Sequence, residues 1–149
     1  MVTVKQLLAK KGNDFYFVKP GASTYEALQK MAEKDVGALM VIENDKLVGI
    51  FSERDYARKV ILMGKSSKES KVSEIMSSKV YFVSPEETIF DCMALMTNHH
   101  IRHLPVLDNN AIVGIVSIGD VVNAVIHAQK STIKDLENYI LGGGYGTNS

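Results

Sequence analysis

The feature of this sequence that most constrains its fold is an internal repeat. Residues 16–62 align without a gap to residues 81–127, which lie 65 positions downstream. Pro20 aligns with Pro85, and the Val-Gly-Ile triplet at 48–50 aligns with the triplet at 113–115. A repeat of this length predicts one structural unit used twice, so it constrains the fold more than any single motif does.

Each repeat predicts the element order β-α-β-β-α. In the first copy, a β-rich run at 15–19 ends at Pro20, and a capping-box pattern at 23–26 then begins a helix. Two apolar strands, at 38–42 and 46–51, flank Asn44-Asp45, which is a hairpin signal, and a second helix covers 53–63. One copy is too small to bury its own sheet well. We therefore expect an α/β (α+β) fold in which two repeats pack with pseudo-two-fold symmetry.

The segments outside the repeat suggest the domain boundaries. Residues 1–64 form the first repeat with a lead-in helix at 4–8, and residues 65–71 form a polar linker. Residues 72–128 form the second repeat with its own lead-in helix at 72–76. Residues 129–149 contain a C-terminal helix at 132–141, which the Gly-rich tail after it should end.

Composition narrows the class of protein. Lys and Arg together number 17, as do Asp and Glu, so the formal net charge is zero and bulk electrostatic binding to nucleic acid is not expected. The single cysteine, Cys92, cannot form an internal disulfide, which fits a reducing compartment. We find neither an apolar run of about 18 residues nor a signal-peptide core. These features predict a soluble, cytoplasmic protein without membrane contact.

Each repeat closes with the same motif, Gly-Ile-x-Ser-x-x-Asp, at 49–55 and at 114–120. The Ser is expected at a helix N-cap, beside free backbone N–H groups that favour an anion such as phosphate. The Asp follows in the first turn, where its carboxylate can accept hydrogen bonds from the two vicinal hydroxyls of a ribose. Ser-x-x-Asp is also close to a capping box, which needs no ligand to explain it.

Two such motifs in register resemble a CBS-domain pair, also called a Bateman module. The strand Ile101-Arg102-His103-Leu104-Pro105-Val106 also carries the resemblance, which covers nearly the whole chain. The string at 52–60 is similar to small stand-alone bacterial CBS-pair proteins and their plant mitochondrial relatives. The resemblance implies a regulatory module, not an enzyme, that binds AMP, ATP or NAD and modulates an unknown partner protein.

The same resemblance implies two clefts, each joining the first strands of one repeat to the Ser/Asp helix start of the other. The first cleft gathers Ser52, Arg54 and Asp55 with Tyr81, Ile101, Arg102 and His103. The second gathers Ser117 and Asp120 with Tyr16, Val36, Gly37 and Ala38, and Lys19 is its candidate cation. Pro105 completes the set of binding residues. The first cleft is expected to prefer phosphate, because the second has glycine or alanine where the first has Arg54, Arg102 and His103.

Alternatives from other classes remain open. The chain could be a structural dimerisation adaptor with vestigial clefts, and the resemblance implies a homodimer formed through helices. The apolar residues expected on those helices are Tyr56, Val60, Ile61, Val121, Val122 and Val125. Zinc at His99, His100 and His103 lacks further ligands at metal spacing, so no metal is expected. An enzyme using His100 or Cys92 lacks a nucleophile and base pair, and Cys92 is expected to be buried and inert.

Overall fold

The computed structural model describes residues 1–141, which form two similar halves. The tail at 142–149, predicted to end the last helix, lies outside the described residues. The elements in chain order are α1 (Val4–Lys11), β1 (Phe17–Val18), α2 (Thr24–Lys34), β2 (Ala38–Glu43), β3 (Lys46–Ser52), α3 (Glu53–Tyr56) with a π-helical turn (Ala57–Ile61), α4 (Val72–Ile75), α5 (Ile89–His99), β4 (His103–Asp108), β5 (Ala111–Ser117) and α6 (Ile118–Leu141).

The two sheets have the same hairpin but differ in their first strand. In the first repeat, β1 pairs in parallel with β2, and β2 pairs antiparallel with β3. In the second repeat, β4 and β5 form the equivalent hairpin, whereas the parallel pairing is one bridge between Val83 and Val106. Pro105 occupies the place of Met40 and has no N–H to extend that pairing. The second copy of the predicted first strand is shortened for this reason.

Both hairpin turns form where the sequence predicts them. Asn44 and Asp45 have φ angles of 51° and 64°, and Asn109 and Asn110 have 50° and 68°. Positive φ at both central residues defines the tight turn that matches the twist of paired strands. Asn and Asp tolerate this conformation, so the two hairpins have matching registers.

Each half has its own hydrophobic core, and the lead-in helices are exchanged between the halves. Leu7 and Leu8 of α1 pack in the core of the second repeat, although α1 precedes the first. Val72 and Ile75 of α4 pack in the core of the first repeat, although α4 precedes the second. The exchange ties the two cores together, and the periodicity of the sequence could not show it.

The two motif glycines make room for this exchange. A Cβ on Gly114 would lie 3.0 Å from a methyl carbon of Leu8, and one on Gly49 would lie 3.0 Å from the Ser77 carbonyl oxygen. The structure shows that they allow close approach of Leu8 in α1 and of the residues that directly follow α4.

Helix ends follow most of the predicted caps. Thr88 and Asp91 form the full reciprocal capping box of α5, whereas Ser23 only accepts a hydrogen bond from the Glu26 N–H. The helix predicted at 53–63 is α3 continued by the π-helical turn. The C-terminal helix predicted at 132–141 is the last part of α6, which runs unbroken for 24 residues. Within residues 1–141, no helix has the length and apolarity that crossing a membrane requires.

Candidate functional site

All seven residues predicted for the first cleft line one cavity between the two repeats. Its volume is about 510 Å³, and it opens where β3 runs into α3 and faces the start of β4. The residues from the predicted set that line it are Ser52, Arg54, Asp55, Tyr81, Ile101, Arg102 and His103. We name this cavity the Asp55 cleft.

The local geometry of Ser52 and Asp55 is a capping box. The Asp55 N–H donates to Ser52 Oγ at 3.1 Å, and Asp55 Oδ2 accepts from the Ser52 N–H at 3.0 Å. The interpretation of Ser-x-x-Asp as a cap is therefore confirmed. It does not use up the carboxylate, because Asp55 Oδ1 has only Lys59 Nζ at 3.4 Å. A carboxylate has about four acceptor positions, so Asp55 can cap α3 and accept from a ligand as well.

Cationic side chains surround Asp55 in greater number than the sequence predicted. Besides Arg54 and Arg102, the Asp55 cleft is lined by Arg58, Lys59 and Lys79. Arg58 and Lys59 are exposed, as residues of a solvated helix face are, and they also line the cleft. They lie three and four residues after Asp55, and that helical spacing could have revealed them. Arg54 Nη1 also donates across the cleft to the His100 carbonyl at 3.3 Å.

One wall of the Asp55 cleft is aromatic. The Tyr81 ring stacks on His99 with centroids 3.8 Å apart and planes 17° from parallel. Lys79 Nζ lies 5.6 Å from the centroid of the Tyr81 ring, within the range of a cation–π contact. The Tyr81 ring is thus held between an imidazole and an ammonium group at the wall of the cleft.

His103 lies at the junction of the two repeats. A Cβ on Gly37 would be 3.8 Å from its imidazole, so the start of β2 meets the start of β4 here. Burial lowers the pKa of His103, and the positive charges of Lys11 and Arg102 lower it further against the opposing effect of Asp120. The imidazole is therefore neutral at pH 7. It can donate one hydrogen bond, but it supplies no positive charge to the cleft.

The residues predicted for the second cleft are not gathered in one cavity. Asp120 caps α6 as Asp55 caps α3, accepting from the Ser117 N–H at 2.8 Å. The groove beside it, with a volume of about 780 Å³, is lined by α1 and α6 and by Val2 near the N-terminus. We name it the Asp120 groove. It contains no residue of the strands of the first repeat.

The other predicted members of the second cleft lie elsewhere. Gly37 and Ala38 line the Asp55 cleft, and Tyr16 and Val36 pack against the core of the first repeat. Lys19 follows β1 toward the hairpin, in a cavity that also contains Asn44. It is therefore not the cation beside Asp120. Pro105 is buried in β4, where its carbonyl accepts from the Val83 N–H at 3.0 Å.

The cation beside Asp120 is Lys11, which the sequence did not predict. Lys11 Nζ donates to Asp120 Oδ2 and to the Ile115 carbonyl. Burial raises the pKa of Asp120, but the hydrogen bonds from Lys11 and Ser117 outweigh it and bring the pKa below its usual range. Because the carboxylate stays ionised, the ion pair persists at neutral pH.

The residues considered for zinc and for catalysis have ordinary structural roles. Among residues 1–141, no three side chains of the His, Cys, Asp and Glu types converge as metal ligands would. Cys92 is buried in the second core, and burial together with Glu87 and Asp91 raises the pKa of its thiol to about 11. A thiol that is protonated at pH 7 is a poor nucleophile.

The comparisons with known proteins decide the family. The CBS domain model matches residues 4–61 and again residues 72–127. The chain belongs to the CBS-domain family. This confirms the resemblance and the fold class predicted from the repeat. The match covers both halves of the molecule, so the two repeats form a CBS pair.

Three CBS-domain proteins illustrate the similarity. The mitochondrial protein CBSX3 of Arabidopsis thaliana is 39% identical over 150 residues, covering 95% of this chain and 73% of the plant protein. A solved CBS-domain protein from Burkholderia ambifaria MC40-6 is 48% identical with a TM-score of 0.83, covering 86% of this chain and 96% of that chain. The CBS pair of protein MJ0100, solved with 5′-methylthioadenosine and S-adenosyl-L-methionine, shares the fold at 24% identity and a TM-score of 0.77, covering 86% and 98% of the two chains.

Proposed function

We propose that this CBS pair is a regulatory module that binds an adenosine nucleotide, such as AMP, ATP or NAD, in the Asp55 cleft and modulates a partner protein. One observation carries the proposal. A carboxylate with unused acceptor positions and five Lys or Arg side chains line a single cavity at the junction of the repeats. CBS-pair proteins are in general regulatory rather than catalytic, and we propose that this chain has no catalytic activity.

The parts of a nucleotide match the chemistry of the cleft. Asp55 can accept hydrogen bonds from both hydroxyls of a ribose, since a carboxylate is only an acceptor. Arg54 and Arg102 have planar guanidinium groups suited to paired contacts with phosphate. Five cationic side chains face only two carboxylates, Glu53 and Asp55, so the cleft favours an anionic ligand. Tyr81 adds an aromatic side chain to the lining, and MJ0100 shows that this fold accommodates adenosine-containing ligands.

The position of the cleft suggests how binding would be transmitted. Arg54 and Asp55 belong to the first repeat, whereas Arg102 and His103 belong to the second. A ligand held by both favours the arrangement of the repeats that brings these groups together. Binding of this kind shifts the population of conformations, and the partner protein would respond to the favoured one.

A nucleotide panel in a thermal-shift experiment tests the proposal. A ligand that binds only the folded chain must raise its melting temperature. We expect AMP, ADP, ATP or NAD to raise it more than adenosine does, because only these ligands carry phosphate for the arginines. The Arg102→Ala variant tests the phosphate contact. In this variant, the melting-temperature shifts caused by AMP and by adenosine should become more similar. If no nucleotide raises the melting temperature, the module is a structural adaptor.

We also propose that the CBS pair is a homodimer. Val60 and Val121, which we expected at the dimer contact, are fully buried in their own cores. Apolar residues nearby remain exposed, among them Ile61, Phe90, Val122 and Ile126. Exposed apolar surface of this kind usually marks a contact, and a two-fold dimer is the commonest closed assembly. Light scattering tests this: a mass near 16.4 kDa contradicts the dimer, and twice that supports it.

The cellular location also stays a proposal. We propose that the chain works in the cytoplasm, because its single cysteine is a buried thiol with no internal partner. The mitochondrial location of the plant relative belongs to that protein.

A further inference from the structure

The two lead-in segments end in equivalent lysines. Residues 4–11 align without a gap to residues 72–79. Three apolar residues and a final lysine match in this alignment, and they are Val4 with Val72, Leu7 with Ile75, Leu8 with Met76 and Lys11 with Lys79. The structure supports this alignment, because Leu8 lies against Gly114 and Met76 lies against Gly49. Each lysine thereby lines the cavity beside the motif carboxylate of the repeat on which its lead-in helix packs.

The two lysines make different contacts. Lys11 donates to Asp120 and to the Ile115 carbonyl, so two of its three donors are engaged at the motif. Lys79 lines the Asp55 cleft and lies over Tyr81 instead of pairing with Asp55. Among residues 1–141, the lysine that contacts Asp55 is the more distant Lys59, which also donates to the Ile75 carbonyl. The Lys59 side chain is 47% exposed, compared with 30% for Lys11. Both carboxylates contact a lysine, but Lys11 donates a short hydrogen bond to Asp120, whereas Lys59 lies 3.4 Å from Asp55.

We propose that Lys11 is an internal latch that occupies Asp120 in place of ligand hydroxyls, so that each chain binds one nucleotide, at Asp55. This inference rests on the proposed function. The Lys11 ammonium donates to the same carboxylate that a ribose would need, and it neutralises the charge that makes that carboxylate a strong acceptor.

The surroundings of Asp120 reinforce the latch. Gly119 stands where the other motif has Arg54, and no arginine is among the described residues that line the Asp120 groove, so a nucleotide would find no arginine there to help it displace Lys11. The ammonium is held at a fixed place by α1, which is anchored in the second core through Leu7 and Leu8. A ligand would have to break both hydrogen bonds of Lys11 before reaching Asp120.

Calorimetric titration with AMP tests the latch by its stoichiometry. We expect one site per wild-type chain and two per chain in Lys11→Met, which keeps the length of the side chain and removes the ammonium. Lys5→Met, at an exposed position of α1 outside both cavities, is the matched control and should keep one site. Two sites in the wild type, or one site in Lys11→Met, would overturn the latch.

A second measurement separates the latch from the proposed function. Without nucleotide, carbon-detected NMR titration of the Asp120 carboxyl should show a pKa below the usual range in the wild type and a higher one in Lys11→Met. An unchanged pKa would mean that Lys11 does not hold Asp120 in solution, which overturns the latch even if AMP binds. Absence of AMP binding to both proteins would instead overturn the proposed function.

Discussion

The Asp55 cleft and the Asp120 groove have the same motif, the same strand register and the same helix cap, yet they present different chemistry. Asp55 opens into a cavity lined by five cationic side chains, whereas Asp120 is held by Lys11 from a helix outside the repeat. The repeated residues determine the local structure of each motif. The residues that differ between the repeats, together with the lead-in segments, determine which charged side chains surround each motif carboxylate.

The largest expected effect concerns the two cores. Phe51 and Val116 are equivalent residues, and both are fully buried. Phe51→Ala should lower the free energy of unfolding by about 3–5 kcal/mol, and Val116→Ala by about 2 kcal/mol, because fewer buried atoms are lost. Urea denaturation should give one cooperative transition in both variants, since the exchanged lead-in helices couple the halves. Two separate transitions would show that the repeats unfold independently.

The next largest effect is on AMP affinity, through the two arginines that line the Asp55 cleft and have no counterpart among the described residues of the Asp120 groove. Arg54→Ala or Arg102→Ala should weaken AMP binding by on the order of 1.5–3 kcal/mol, which is tenfold or more, while adenosine binding changes little. The reason is that each arginine would contact phosphate and not the nucleoside. Calorimetry with both ligands measures the difference, and Lys134→Ala, on the exposed end of α6, is the control. Parallel losses for AMP and adenosine would remove the phosphate assignment.

Replacing each motif glycine by alanine should lower stability by different amounts in the two repeats. Gly49→Ala should cost about 1–3 kcal/mol of stability, because the new methyl group would meet Met76 and the rigid backbone at Ser77. Gly114→Ala should cost less, since it would meet only the methyl groups of Leu8, which can rotate away. Thermal or urea unfolding of both variants decides the order. Equal costs would mean that Met76 and Ser77 move aside as readily as Leu8.

The smallest effect is a pH dependence that only one repeat can have, because Ala38 stands where the second repeat has His103. The pKa of His103 is lowered below 6.5 in the folded chain, so the unfolded chain binds more protons as the pH falls through this range. Stability present above pH 6.5 should therefore be lost progressively below it. His103→Gln should reduce this slope between pH 7 and 5, whereas the exposed His127→Gln should not. An unchanged slope in His103→Gln would show that His103 is solvated.

Most of the fold could be predicted from the sequence, because the repeat and its turns are local patterns. Asn44-Asp45 and Asn109-Asn110 determine both hairpins by their tolerance of positive φ. The repeated apolar strands predict two small sheets, and the family match confirms the class. The exchange of α1 and α4 could not be predicted, since periodicity shows which face of a helix is apolar but not which core covers it.

The sequence pattern also fails to show which cations lie beside the motif carboxylates, because these cations come from other parts of the chain. Ser52 and Asp55 meet Arg102 and His103 in one cleft because the end of β3 in the first repeat lies against the start of β4 in the second, as the family resemblance implies. The sequence predicts Lys19 as the cation beside Asp120, yet Lys19 lies after β1 in the cavity that contains Asn44. Lys11 and Lys79 lie outside the repeat, and only an alignment of the two lead-in segments would have revealed them.

The most direct test of the account is an AMP titration of the two motif carboxylates in parallel. Asp55→Asn and Asp120→Asn keep the shape of the side chain and remove its charge, so each is the matched control of the other. We predict that Asp55→Asn weakens AMP binding more than tenfold, while Asp120→Asn does not weaken it. Equal affinity of the wild type and Asp55→Asn would contradict the assignment of the nucleotide to the Asp55 cleft.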